Sequence, residues 1–97
     1  MQLVGFRKVK AAVIAALKAG KYQHEARANI VTKNLLATGT ISVDEVLSLL
    51  QKSNGLQYST SPHHADDMID VHLLKTGGWY IKFYFIDSDT MFISVHQ

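Results

Sequence analysis

The run Trp79-Tyr80-Ile81-Lys82-Phe83-Tyr84-Phe85-Ile86 is aromatic or β-branched at every position but one. Such residues fit a pleated, half-buried surface far better than a helix or a loop, so the segment reads as a strand. Alternation along it sends Trp79, Ile81, Phe83 and Phe85 to one face and Tyr80, Lys82 and Tyr84 to the other. The first set is core material. The second places an ammonium between two phenols, which packing alone would not select.

The flanks give this strand partners on both sides. Asp87-Ser88-Asp89 has turn chemistry, and Thr90 to His96 alternates as a returning strand. Pairing Ile86 with Thr90 sets Lys82 opposite Ser94 and Tyr80 opposite His96. Upstream, Asp67 to Leu74 alternates as well, and Thr76-Gly77-Gly78 supplies the reversal. A two-residue Gly-Gly loop would pair Ile81 with Leu74 and Phe83 with His72. A three-residue loop ending in a left-handed Gly pairs Ile81 with Leu73, Phe83 with Val71 and Phe85 with Ile69. A slip of one residue exchanges the faces, and the second register keeps aliphatic residues together, so it is the expectation here. The polar face would then hold Asp70, His72, Tyr80, Lys82, Tyr84, Ser94 and His96. The opposite face would hold Ile69, Val71, Leu73, Met91, Ile93 and Val95 with the aromatic set.

The N-terminal half reads as helical scaffold. Phe6, Val9, Val13 and Leu17 recur at helical spacing and Gly20 stands at a C-terminal cap position, predicting a helix over about 5–19. A second helix is expected over about 23–37, burying Ala26, Ile30 and part of Val31 and Leu35 and ending at Gly39. Ser42-Val43-Asp44-Glu45 is a capping box opening a third helix, with Val43, Val46, Leu47 and Leu50 on its apolar face and Asn54-Gly55 at its end. Leu56 to Thr60 makes a short strand, and Ser61-Pro62 and the loop His63-His64-Ala65 lead on to Asp67. The expectation is one domain over 1–97, α+β, with three N-terminal helices packed on one face of a four-stranded antiparallel sheet. Residues 1–55 form the helical scaffold and 56–97 a β-meander carrying the site.

Composition narrows the function classes. The chain has no cysteine, so disulfides and thiolate metal sites are excluded. No apolar run approaches a membrane span, and the apolar run Ala11 to Leu17 lacks a cleavage site behind it, so neither a signal peptide nor membrane association is expected. A cytoplasmic protein is anticipated. Residues 1–43 carry seven of the ten Lys and Arg and one of the eight acids. That asymmetry favours a polyanion as partner, with Lys8, Lys10 and Arg27 available for phosphates. His63-His64 followed by Asp66 and Asp67 matches no structural zinc spacing. No metal or other cofactor is expected, and the two histidines are read as substrate contacts.

Lys82, His72, His96, Tyr80 and Tyr84 on one sheet face supply the groups that metal-independent RNA cleavage uses. A base takes the 2′-hydroxyl proton, a cation stabilises charge on the phosphate, and an acid protonates the leaving 5′-oxygen. Histidine serves either proton-transfer role and tyrosine rings stack on unpaired bases. Ser94 lies within the same face.

Three pieces of the chain resemble the MqsR group of bacterial mRNA-cleaving toxins, whose fold is similar to RelE and YoeB. They are Leu17-Lys18-Ala19-Gly20-Lys21, the helix Val43 to Leu50 with the Tyr58-Ser59 strand, and the C-terminal Asp70-Val71-His72, Tyr80-Ile81-Lys82 and Ser94-Val95-His96. The resemblance implies an endoribonuclease that halts translation and is neutralised by a cognate antitoxin or immunity protein. It places Tyr80 and Lys82 on the family's strand tyrosine and following lysine, His96 on a C-terminal lysine, and Tyr58 at or beside another functional lysine. Ile69 stands where the family has a functional glutamine, and His72 where it has tyrosine.

Two other readings fit the same residues. The second and third predicted helices, joined through Thr38-Gly39-Thr40-Ile41-Ser42, could form a winged helix-turn-helix that binds nucleic acid without cutting it. The domain could also be a tRNA-cleaving effector of a larger secreted toxin.

Overall fold

The computed structural model describes residues 5–26, 30–86 and 89–97. Of the features singled out above, Arg27, the side chain of Val31 and the turn residues Asp87 and Ser88 lie outside them. The chain runs α1 (Phe6–Ala19), β1 (Tyr22–His24), α2 (Ile30–Lys33), α3 (Val43–Lys52), a 3-10 turn (Gly55–Gln57), β2 (Tyr58–Pro62), β3 (Asp70–Thr76), β4 (Trp79–Ile86) and β5 (Asp89–His96). The strands form one five-stranded sheet in the order β1-β5-β4-β3-β2, antiparallel except for the β1–β5 pair.

The α+β class holds, but the three-helix, four-strand architecture does not. Where one helix was expected over 23–37, the chain makes a strand, a four-residue helical turn and a bridge from Asn34 to Val95. The 1–55 scaffold therefore contributes a strand to the sheet. Tyr22, Gln23 and His24 alternate between half-buried and exposed, and Glu25 N–H continues the ladder by donating to Phe92 C=O at 2.9 Å. Asn34 fixes the rest of the segment. Its side chain accepts from Ala37 N–H at 3.1 Å and donates to His24 Nδ1 at 3.0 Å, while Leu35 N–H donates to Val95 C=O at 2.8 Å. The edge of β5 offers unpaired backbone groups, and pairing with them outweighs the weak helical periodicity of 23–37. Without that helix no helix-turn-helix can form.

The two full helices follow their sequence signals. Val9, Val13 and Leu17 form the buried stripe of α1, which Gly20 terminates in the left-handed region at φ 73°. In α3 the Ser42 hydroxyl accepts from Glu45 N–H at 3.1 Å, and the Glu45 carboxylate returns to Ser42, completing the capping box. Both helices pack on one face of the sheet, over a core containing Val46, Leu50, Leu74, Ile81, Phe83, Phe92 and Val95. Fully burying each such side chain contributes roughly 1.5–3 kcal/mol.

The β3–β4 register is the two-residue one. Gly77 and Gly78 adopt φ 60° and 81°, both left-handed, as a type I′ turn requires at its two central positions. Leu74 thus pairs with Ile81 and His72 with Phe83, not Leu73 with Ile81 and Val71 with Phe83. Every residue of β3 is turned over relative to the expected face. His72 joins the helix-side core and Leu73 moves to the outer face. The β4–β5 register also departs at its turn end, where Ile86 pairs with Asp89, not Thr90. A bulge beside Ile93 then restores Lys82 opposite Ser94 and Tyr80 opposite His96. The bulge sends Phe92 to the core while Ile93 and Met91 join the outer face. That face has a small core of its own, Val71, Tyr84 and Ile93 with Ile69 and Met91 against them. A sheet with apolar clusters on both faces defeats a sorting rule that assumes one wet face.

Among the described residues, no helix is long and apolar enough to cross a membrane.

Candidate functional site

The outer face of the sheet presents two cross-strand rows side by side. Lys75, Tyr80 and His96 make one, since Lys75 pairs with Tyr80 and Tyr80 with His96. Leu73, Lys82 and Ser94 make the next. Leu73, Tyr80, Lys82, Ser94 and His96 enclose an open recess of about 270 Å³. No acidic side chain lines it, and among the described residues no carboxylate pairs with Lys75 or Lys82. The Lys82 ammonium in this recess, with no carboxylate paired to it among the described residues, makes the recess a candidate site for an anion.

The rings in the recess are ordered by one another. The Tyr80 and His96 centroids lie 5.3 Å apart, and the Lys75 ammonium sits 5.3 Å from the Tyr80 centroid as a cation–π contact. His96 Nδ1 lies 3.0 Å from the Gln97 backbone oxygen. That oxygen only accepts, so Nδ1 carries the hydrogen and Nε2 is the lone-pair position of the neutral ring. Tyr80 is 40 % exposed, which is high for a large side chain on a central strand.

Tyr58 and His72, expected at this site, lie on the opposite, helix-facing side. His72 is 2 % exposed, sits against Phe83 and Phe85, and shares a 2.9 Å hydrogen bond with the Tyr58 hydroxyl. Burial lowers the His72 pKa from 6.5 against an opposing pull from Asp70. Burial, with the Asp70 charge second, raises that of Tyr58 from 10.0. The β3 register is the cause, because it turns even-numbered residues of that strand toward the helices. The pair is a buried structural bond.

His63, His64 and Tyr84 form a third group, at the far end of the outer face. Alternation along β1 sends Glu25 outward, where its Oε2 accepts from the Tyr84 hydroxyl and lies 3.0 Å from His63 Nε2. Tyr84 is buried there, so its ring is closed to an incoming base. The ligand atoms of Glu25, His63 and His64 lie within 4.8 Å of one another, close enough to suit a metal ion. The hydrogen bonding runs against that use. Ala65 N–H donates to His63 Nδ1 at 3.0 Å, so the ring hydrogen is on Nε2 and points at the carboxylate. A metal on Nε2 would require a hydrogen on Nδ1, facing an N–H donor. Glu25, His63 and Tyr84 together tie the start of the 63–69 loop to the outer face of the sheet.

Of the basic residues expected to meet phosphate, Lys10 is committed elsewhere. Its ammonium donates to Gln51 C=O at 2.9 Å and Ser53 C=O at 3.0 Å, capping the C-terminal end of α3. Lys8 is exposed on α1, on the helix side of the sheet. The structure thus brings together Tyr80, Lys82, Ser94 and His96 and separates the rest. It adds Lys75 and Glu25, neither of which the sequence reading singled out. The Gly-Gly loop read as a two-residue turn would have found Lys75, because it sets that residue opposite Tyr80. Glu25 was hidden inside a helix that does not form.

Comparison with known proteins finds no family model and no curated protein that the chain matches.

Proposed function

We propose that the chain is an endoribonuclease that cuts single-stranded RNA through 2′-hydroxyl attack, with the recess around Tyr80, Lys82, Ser94 and His96 as its active site. The observation that supports this most is the Lys82 ammonium, with no carboxylate paired to it among the described residues, set beside a histidine of assigned tautomer on one open face. His96 Nε2 takes the 2′-hydroxyl proton, and the freed oxygen attacks phosphorus. Charge gathers on the non-bridging oxygens, where the Lys82 ammonium and the Ser94 hydroxyl stabilise it. The 5′-oxygen leaves with a proton from the Tyr80 hydroxyl beside His96, and a 2′,3′-cyclic phosphate remains. The likeness to mRNA-cleaving toxins adds a cytoplasmic setting, messenger RNA as target, and a cognate antitoxin as partner.

The test is cleavage of an RNA with single-stranded loops in excess EDTA, with both new ends mapped. A 2′,3′-cyclic phosphate and a 5′-hydroxyl are expected. Lys82→Ala should slow the reaction roughly 10²–10³-fold, and His96→Gln roughly 10²–10⁴-fold. Absence of cleavage by the wild type, or wild-type rates in both folded variants, would overturn the assignment.

A further inference from the structure

A second recess adjoins the first and shares one wall with it. Lys75, Gly78, Trp79 and Tyr80 line it, with about 190 Å³ of space at the β3–β4 hairpin end. Gly78 leaves its floor open, because a Cβ there would meet nothing within 4 Å. Tyr80 therefore stands between two hollows, each with its own lysine. Lys75 and Lys82 are diagonal neighbours on adjacent strands, an arrangement that sets the residue positions about 7–8 Å apart. Two long, flexible side chains rooted at that spacing can reach consecutive phosphates of an extended strand.

We infer that the Lys75–Gly78–Trp79–Tyr80 recess is a second nucleotide subsite, so that the protein grips two consecutive nucleotides of one strand astride Tyr80. This rests on the active-site reading given under Proposed function and extends it to the neighbouring nucleotide. The scissile phosphate lies over Lys82 and His96. The adjacent base enters beside Trp79 and stacks on the exposed Tyr80 ring, displacing the Lys75 ammonium from its cation–π contact. The released ammonium then meets the next phosphate, with which it forms the stronger, charge-assisted contact. A hydrophobic hairpin end kept only for packing would have no need of a lysine laid over an accessible phenol, with no carboxylate paired to it among the described residues.

Trp79 is the only tryptophan in the chain and borders this second recess alone. The backbone amide resonances of Gly78 and Trp79, which line this recess and not the first, therefore report occupancy there. Wild-type protein is titrated with a nucleoside 3′-monophosphate and with a 2′-O-methyl dinucleotide carrying a terminal phosphate, which cannot be cleaved. Binding in the first recess is followed independently through the His96 ring resonances. Both ligands should shift His96, but only the dinucleotide should shift the Gly78 and Trp79 amides. Lys75→Ala should weaken dinucleotide binding about tenfold, the loss of one charge-assisted contact, and leave the mononucleotide unchanged. A dinucleotide that shifts His96 without moving the Gly78 and Trp79 amides, and that binds Lys75→Ala normally, overturns the second subsite and leaves the first intact. Failure of both ligands to shift His96 removes the active-site reading and the subsite with it.

Discussion

Replacing Tyr58 by Phe separates the buried role of this residue from the catalytic one its position in the sequence invites. The substitution keeps the ring against Phe6 and His72, whose centroids lie 5.7 and 5.9 Å away, and removes only the hydroxyl. His72, 2 % exposed, then has a ring nitrogen without its partner. Orphaning a buried polar atom costs about 1–3 kcal/mol, more than the bond's net contribution. His72→Phe, placed between Phe83 and Phe85, should cost about 1 kcal/mol, because the half-buried Tyr58 hydroxyl can turn to water. The double variant leaves no orphan and should return to within about 1 kcal/mol of wild type. The coupling energy would then be of the order of 1–3 kcal/mol. Urea unfolding of all four proteins measures it, with an unchanged m value showing that the compactness of both states is preserved. Cleavage by each folded variant should stay within a few fold of wild type. Additive single effects, or a folded Tyr58→Phe protein that cuts RNA a hundredfold more slowly at unchanged stability, would refute the structural role.

Four further outcomes follow from the same physics. His24 and His72 are both held below their usual 6.5 by burial. Below pH 6.5 the unfolded chain therefore takes up protons that the folded one refuses, so stability should fall as pH drops through that value, and His72→Phe should flatten the dependence. The raised Tyr58 pKa has the opposite sense, and stability should decline as pH climbs above 10.0, a limb absent from Tyr58→Phe. Gly77→Ala forces a side chain into φ 60° and brings its Cβ to 2.6 Å from Leu49 Cδ2, so thermal unfolding should show a loss of about 1–3 kcal/mol. Asn34→Ala strips partners from Ala37 N–H and His24 and should cost about 1–3 kcal/mol, with hydrogen-exchange protection falling at Leu35, whose amide bonds Val95.

Local chemistry determined several features of this protein outright. The Val9–Val13–Leu17 stripe, the Ser42–Glu45 capping box and the aromatic alternation of β4 each rest on contacts within a few residues, so composition and spacing were enough. The pairing of Tyr80 with His96 and Lys82 with Ser94 also came through, although a bulge at Ile93 was needed to restore it. Tertiary structure decided the rest. The segment after α1 has no strong preference of its own, and the open edge of β5 drew Tyr22–His24 into a parallel strand and Asn34 into a bridge. The face on which His72 lies depended on whether two glycines or three residues made the turn, a choice that reverses every side chain of β3 while leaving its sequence equally strand-like. Lys75 and Glu25 entered the outer face through those same two decisions. A strand's period is visible in its own residues, but its phase against a neighbour is fixed only when the neighbour's hydrogen bonds and the core beneath are in place.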